Sequence, residues 1–383
     1  MRILVLGADG YLGWPTCMDL SNKGHEVIAL DNFSKRKIEM EGGIEPLIHC
    51  QSLHNRTKQW KRLTGKTIHL RVGDLLNYRF LYQVLHEFKP EAIIHYAEQP
   101  SAPYSMKGRQ EAAFTQHNNV IGNLNLLFAM KAECPEAHLI KLGTMGEYGT
   151  PNIDIEEGYL DIEHNGRKAT IPYPKKPGSF YHLSKVHDSN NIIFACRVWG
   201  LRVTDLNQGV VYGTETKETV LSEKFKTSFH YDHIFGTVLN RFCVQAIAGF
   251  PLTVYGKGGQ TRGFLNIRDT IKCVSLAVDN PVSNGECRIM NQFTETFSVN
   301  QLAEKVKEAA KLIDIDVNIK KIQNPRIEDE DHYYNAKNTK LTDLGLEPEL
   351  LDSEVIVSML KKIILNKNKI NIDTISPNIS WKN

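Results

Sequence analysis

The chain of 383 residues carries 46 basic and 44 acidic side chains, a formal net charge of +2. At 41% hydrophobic and 23% charged, it has the balance of a globular protein with a large core, without the charge surplus or basic blocks of a polyanion binder. The cysteines at 17, 50, 134, 196, 243, 273 and 287 form no C-x-x-C pair, which argues against a zinc ribbon and for free thiols in a reducing compartment.

The first apolar run, Arg2–Leu6, reads as a strand. Its start reads as neither a secretory leader nor a membrane span, and none is expected. A cytoplasmic protein is expected, and a form already processed in an organelle has the same appearance. Gly7-Ala8-Asp9-Gly10-Tyr11-Leu12-Gly13 comes next, a G-x-x-G-x-x-G turn that opens a helix over Leu12–Lys23. Glycines there let the backbone approach a pyrophosphate at a helix N-terminus.

Glu26–Leu30 is the second strand, and Asp31 ends it. A carboxylate at that point accepts from both ribose hydroxyls and repels a 2′-phosphate, so NAD is expected rather than NADP. Asn32 stands beside it, and Lys35 and Arg36 follow, where a 2′-phosphate would be met if one were present. The connection 35–66 contains a helix-like run, Pro46–Leu63. Thr67–Val72 is the third strand, and Asp74 and Leu75 after it face the adenine; Asp74 also suits a helix N-cap.

Further strands are predicted at Ala92–Tyr96, His138–Leu142, Arg202–Leu206 and Cys287–Met290, with helices at Tyr78–Phe88 and Asn118–Glu133. Strand–helix–strand spacing of this kind gives a parallel sheet with right-handed crossovers. The fold class is α/β, a Rossmann-type doubly wound sheet. The dinucleotide domain is expected over 1–206, with its sheet completed by about 237–290. A smaller lobe for the second ligand takes 207–236 and 291–383, with helices at Val299–Leu312 and Ser353–Leu365. The stretch 150–178 reads as a long functional loop, and the tail 366–383 as disordered or as a cover for a neighbour.

Chemistry concentrates at Leu142-Gly143-Thr144-Met145-Gly146-Glu147-Tyr148-Gly149 and at Tyr181-His182-Leu183-Ser184-Lys185. Tyr181 and Lys185, four apart, share one face of a helix, and the ammonium is expected to lower the phenol pKa and make it a base. Thr144 shares the substrate proton. Tyr333-x-x-x-Lys337 repeats the spacing in an irregular part of the chain and reads as surface. His230-Tyr231-Asp232-His233 reads as an exposed loop rather than a metal site.

The glycine turn, Asp31, Thr144 and the Tyr181/Lys185 pair resemble the extended short-chain dehydrogenases/reductases that act on nucleotide sugars. The segments 98–106, 143–154, 181–189, 207–213, 258–264 and 332–337 are similar to the sulfosugar-forming branch of that superfamily, over roughly residues 1–350. The resemblance implies UDP-glucose and sulfite as substrates and NAD as a cofactor that stays bound. It implies oxidation at C4, loss of the 6-hydroxyl to a 4-keto-5,6-ene, addition of sulfite at C6, and reduction at C4. That sequence needs proton-handling groups beyond Tyr181, and Glu147 and His182 are the candidates, with acid and base unassigned.

Dehydratases of the superfamily follow the Thr with an Asp-Glu pair, where this chain has Met145 and Gly146. Met145 is expected to wall the C6 region. Arg262 and Arg326 are expected on the pyrophosphate and Asn207 on a phosphate. Asn119, at the start of a helix, is expected to fix backbone or water near Thr144. Gln99 and Ser101, and less strongly Arg109, are expected near sugar or sulfite. Neither metal, nucleic acid nor membrane insertion is implied. Relatives pair through two long helices, here Asn118–Glu133 and Ser179–Trp199, so a homodimer or homotetramer is expected. The alternatives are a UDP-sugar 4-epimerase, a 4,6-dehydratase, or a non-catalytic nucleotide-binding relative.

Overall fold

The computed structural model describes the chain except residues 327–331, 377–378, 380 and 382–383. Its centre is a parallel sheet of seven strands: β1 (Arg2–Leu6), β2 (Glu26–Asp31), β3 (Ile68–Val72), β4 (Ala92–His95), β5 (His138–Thr144), β6 (Arg202–Gln208) and β7 (Cys287–Gln292). The spatial order is β7-β6-β5-β4-β1-β2-β3. Ile3, Leu4, Val5 and Leu6 are all fully buried. That run is continuous rather than alternating because helices cover both faces of the sheet. The strand order reverses between β1 and β4, and a cleft opens at their C-terminal ends, as open α/β sheets require.

All seven predicted strands are present, and β5 and β6 run further than expected. Their added pairs, Gly143 with Asn207 and Thr144 with Gln208, carry the ladder to the cleft edge. Beyond β6 a second apolar core gathers helices Val238–Ala248, Val299–Lys311 and Ser353–Ile364. Small sheets border it, including Val210–Tyr212 beside Thr261–Asn266.

Three regions differ from expectation. A helix, Ser34–Gly42, precedes Leu53–Thr64 in the second connection; it buries none of its residues, so it has no apolar stripe to reveal it. The stretch 150–178 carries a hairpin, Tyr159–His164 with Arg167–Pro172. Its turn is Asn165-Gly166, with φ of 51° and 73°, the two left-handed positions that favour Asn-Gly. Asn119 does not open a helix; it sits in a π turn, His117–Ile121, between Arg109–Gln116 and Gly122–Glu133.

The tail partly lies outside the described residues. Up to Ser376 it packs on its own chain: the Asn371 amide donates to the Tyr231 hydroxyl at 2.7 Å, and Ile375 is buried in the second core. No described helix is long and apolar enough to cross a membrane.

Candidate active site

The cleft, about 430 Å³, runs from the glycine turn to the catalytic helix Phe180–Trp199. Gly7, with φ 81°, lies so near the fourth strand's exit that a Cβ would stand 2.7 Å from the Ala97 nitrogen; one at Gly13 would stand 2.1 Å from the Gly7 carbonyl oxygen. These close approaches leave room only for backbone. Gly10, Tyr11 and Leu12 complete the turn's wall of the cleft. The Tyr11 hydroxyl donates to the Gly213 carbonyl at 2.5 Å, tying the turn to the second core.

Asp31 faces the cleft with its carboxylate fixed by two amides, Asp9 at 2.8 Å and Phe33 at 2.7 Å. Burial raises its pKa, and those amides pull it back. Asn32, Asp74 and Leu75 also line the cleft. The Asn32 amide donates to Asp74 at 2.9 Å. Asp74 accepts from Leu76 at 2.8 Å and is not a helix N-cap, a place taken by Asn77.

The two cations after β2 are each paired within the fold, though Lys35 also lines the cleft. Arg36 pairs with Asp9 and donates to the Cys50 and Gln51 carbonyls at 3.2 and 2.9 Å. The Asp9 carboxylate therefore serves Arg36 and Arg56 and does not line the cleft. Lys35 pairs with Glu39 and stands 2.6 Å from His230 Nε2. With the glycine cradle open and both cations paired, these residues fit a dinucleotide whose ribose carries free hydroxyls.

At the other end, Thr144, Tyr181 and His182 line the cleft together. Ser179 caps the helix, accepting from the His182 amide at 3.2 Å, and its hydroxyl lies 3.0 Å from His182 Nδ1. The imidazole rests on Gly146, where a Cβ would stand 2.3 Å from the ring. Burial, then the Arg326 and Arg262 charges, lower the His182 pKa to about 3, so the ring is neutral near pH 7. Both guanidiniums are thus near enough to be felt at His182, although neither lines the cleft. Arg262 donates to the Thr261 carbonyl at 2.8 Å, and Arg326 stacks 5.2 Å from the Trp381 ring.

The expected activation of Tyr181 by Lys185 is not what the geometry gives. The Lys185 ammonium donates to the Leu142 carbonyl at 2.7 Å and pairs with Glu98. Burial and the Glu98 charge raise the phenol pKa, and Lys141 and the Thr144 hydroxyl pull it down.

Several expected site residues are engaged by packing or hydrogen bonds within the fold. Glu147 is fully buried behind the end of β5. It pairs with Lys175, accepts from Ser189 at 2.9 Å and lies 3.8 Å from Lys141. Met145 packs among Tyr148, Ile155, Tyr173 and Phe293 rather than lining the cleft. The Asn207 amide donates to the Tyr148 hydroxyl at 2.8 Å, and its neighbour Gln208 reaches the cleft instead. Gln99 spends its amide on the Ser101 carbonyl and on Thr115, at 3.0 and 2.8 Å. Ser101 lines the cleft, but its hydroxyl donates to the Ile234 carbonyl at 2.5 Å. Asn119 clamps the Gln99 backbone and donates to Ser184 at 2.9 Å, away from Thr144. Arg109 is exposed.

Glu98 and His230 also line the cleft, and neither was among the expected site residues. Glu98 follows β4 directly, and a carboxylate at an apolar strand end is the signal it offers. His230 is buried, not in an exposed loop, and bridges Asp232 and Glu39 at 2.9 Å each. Tyr333 and Lys337 lie at the surface, bonded to Asp154 and Glu156.

The family model "NAD dependent epimerase/dehydratase family" matches residues 3–291. The chain is 54% identical over 381 residues to "UDP-sulfoquinovose synthase, chloroplastic" of Spinacia oleracea, spanning 100% of this chain and 79% of the relative. It is 43% identical over 385 residues to the UDP-sulfoquinovose synthase of Sulfolobus acidocaldarius, spanning 100% and 98%. Among solved structures, the UDP-glucose 4-epimerase of Bifidobacterium longum in complex with NAD+ and UDP superimposes with a TM-score of 0.70 at 20% identity, over 97% of this chain and 100% of that one. That last likeness is one of fold. With the family match covering most of its length and two relatives matched end to end, the chain belongs to the NAD dependent epimerase/dehydratase family.

Proposed function

We propose that this chain joins sulfite to UDP-glucose, giving UDP-sulfoquinovose and water. The two relatives above carry that activity in their names. The observation that carries the reading is the His182 ring on Gly146. Dehydratases of the superfamily place a carboxylate at that position in the chain; here the side chain is absent and a neutral imidazole fills the space.

Tyr181 takes the proton of the sugar 4-hydroxyl, with Thr144 sharing it. Held by the glycine turn and Asp31, NAD would supply a reversible hydride acceptor for C4, so the net redox change would be zero. A ketone at C4 acidifies the C5 proton, and neutral His182 accepts it. The resulting imidazolium is disfavoured by burial and by Arg262 and Arg326, so it passes the proton to the 6-hydroxyl, which leaves as water. One side chain thus performs the two transfers for which Glu147 and His182 were both candidates. The sulfur lone pair of bisulfite then bonds to C6 of the 5,6-alkene, the proton bisulfite carried goes to C5 by way of His182, and Tyr181 returns its proton to O4 as C4 is reduced. Arg262 and Arg326 hold the pyrophosphate by paired donors. A simple 4-epimerase would leave His182 without a task.

Incubation of the protein with UDP-glucose, with and without sulfite, tests this by anion exchange and mass spectrometry. A sulfite-dependent, more anionic and heavier UDP-sugar is expected. UDP-galactose formed equally without sulfite would sink the reading.

The protein is also expected to dimerise through two long helices. Phe128, Phe194 and Val198 are 44, 51 and 47% exposed on Gly122–Glu133 and Phe180–Trp199. Burying the exposed half of each such side chain contributes roughly 0.7–1.5 kcal/mol, and antiparallel helix pairs of two copies form a four-helix bundle. Phe194→Glu combined with Val198→Lys is expected to give monomers in sedimentation velocity where the parent protein sediments as a dimer.

A further inference from the structure

The helix Ser34–Gly42 leaves the end of β2 and buries none of its residues. Its backbone turns in the left-handed region at both ends, with φ of 59° at Phe33 and 60° at Gly43. Just past it the chain is anchored on the second core. Leu47 and Ile48 are buried there, the Leu47 amide donates to the Phe229 carbonyl at 2.9 Å, and Ile48 bridges to Phe229. The helix is thus slung from the parallel sheet to the second core, with Ser34 and Lys35 on the cleft wall.

An element without buried apolar side chains opens at low cost, so its polar contacts decide whether it stays in place. Those contacts run to the loop after Phe229. Glu39 pairs with Lys35 and lies 2.9 Å from His230 Nε2. The Lys35 ammonium stands 4.4 Å over the Phe235 ring. His230 Nδ1 lies 2.9 Å from Asp232, which also accepts from the Ile234 and Phe235 amides at 2.9 and 2.8 Å. Lys35, His230 and Phe235 line the cleft at its Asp31 end, whereas Glu39 and Asp232 stand behind them and do not line it.

We propose that Glu39 and His230 form a clasp across the Asp31 end of the cleft, and that the dinucleotide enters and leaves only when the helix Ser34–Gly42 swings away from the loop 229–236. Phe33 and Gly43 are the hinge positions. The clasp lies outside the sulfite reading and needs only NAD as the cofactor. A cofactor that is reduced and then reoxidised within one turnover is lost to the cycle if it leaves in between. A clasp made of the chain's own residues slows that loss without tightening the dinucleotide's own contacts.

The test reads exchange rather than turnover, so its failure is separate from any failure of the sulfite reaction. The full chain is loaded with radiolabelled NAD, release is followed during a chase with unlabelled NAD, and Kd is measured by equilibrium dialysis. Glu39→Gln removes a charge that does not touch the cleft. It is expected to speed release by about 10- to 100-fold, the worth of a charged hydrogen bond, with Kd changed by less than about threefold. Entry, the ratio of release rate to Kd, then quickens by nearly the same factor, as it does when a gate is loosened. Asp232→Asn, which frees His230 from its other side, is expected to act in the same direction. Circular dichroism checks the fold, and if Glu39→Gln does not fold, Asp232→Asn decides by the same two readings. Unchanged release in the folded variants overturns the proposal. So does a Kd that rises in step with release, which marks a lost binding contact and not a clasp.

Discussion

Tyr181→Phe is expected to lower turnover of UDP-glucose by about 10²- to 10⁴-fold, the usual worth of a positioned general base. The change removes one oxygen from a buried ring. The Tyr181 amide still donates to Ser105 Oγ at 3.0 Å, and Lys185 keeps both Leu142 and Glu98. Folding and dinucleotide binding should therefore survive, with the loss falling on kcat more than on KM. The pH dependence has a defined sign. Burial and Glu98 raise the phenol pKa, and the step needs the phenol to release its proton, so the parent rate should climb with pH through neutrality. In the Phe variant the remaining rate should lose that slope. Stopped-flow measurement of C4 oxidation, across pH, checks both.

Lys141→Met is expected to destabilise the fold by about 3–5 kcal/mol, as removal of one partner from a buried ion cluster does. Lys141 is fully buried in β5 and lies at ion-pair distance from Glu147 and Asp205, which are also fully buried. Methionine fills a similar volume, so the cost is electrostatic. Asp205 already has its pKa raised by burial, with Lys141 the largest opposing influence. Without the ammonium, Asp205 binds a proton more tightly folded than unfolded. Stability from such a group is present at low pH and lost as pH rises. The difference between variant and parent should thus be larger at pH 8 than at pH 5.5, read from urea unfolding midpoints at constant m.

The sheet was legible because most of its strands are short, largely buried apolar runs separated by amphipathic helices; β3, at the edge, is mostly exposed. Hidden elements had a physical reason for being so. Ser34–Gly42 buries no side chain, and the hairpin over 159–172 has only Asn165-Gly166 to announce it. On the cleft wall, the places of Gly7, Gly10, Gly13, Asp31, Thr144 and Tyr181 were readable because strand ends and one helix face fix where they point. Glu147, Asn207 and Gln99 were misplaced because residue type does not tell which way a side chain turns just past a strand. Glu147 turns inward because Lys175, from the arm after the strand, and Ser189, from the helix, meet it there. Those partners are distant in sequence. Lys141 and Asp205, charges within apolar strands, were the overlooked sign of that buried cluster.

The central claim is that C4 is oxidised and restored within one active site while sulfite enters at C6. UDP-glucose deuterated at C4 tests it most directly, turned over with sulfite in ordinary water and with the product read by NMR and mass spectrometry. The account predicts a UDP-sulfosugar that keeps deuterium at C4 and carries sulfur on C6; in heavy water, unlabelled substrate should gain deuterium at C5. A sulfur-containing product that has lost the C4 label to solvent, or a labelled product formed equally without sulfite, would contradict it.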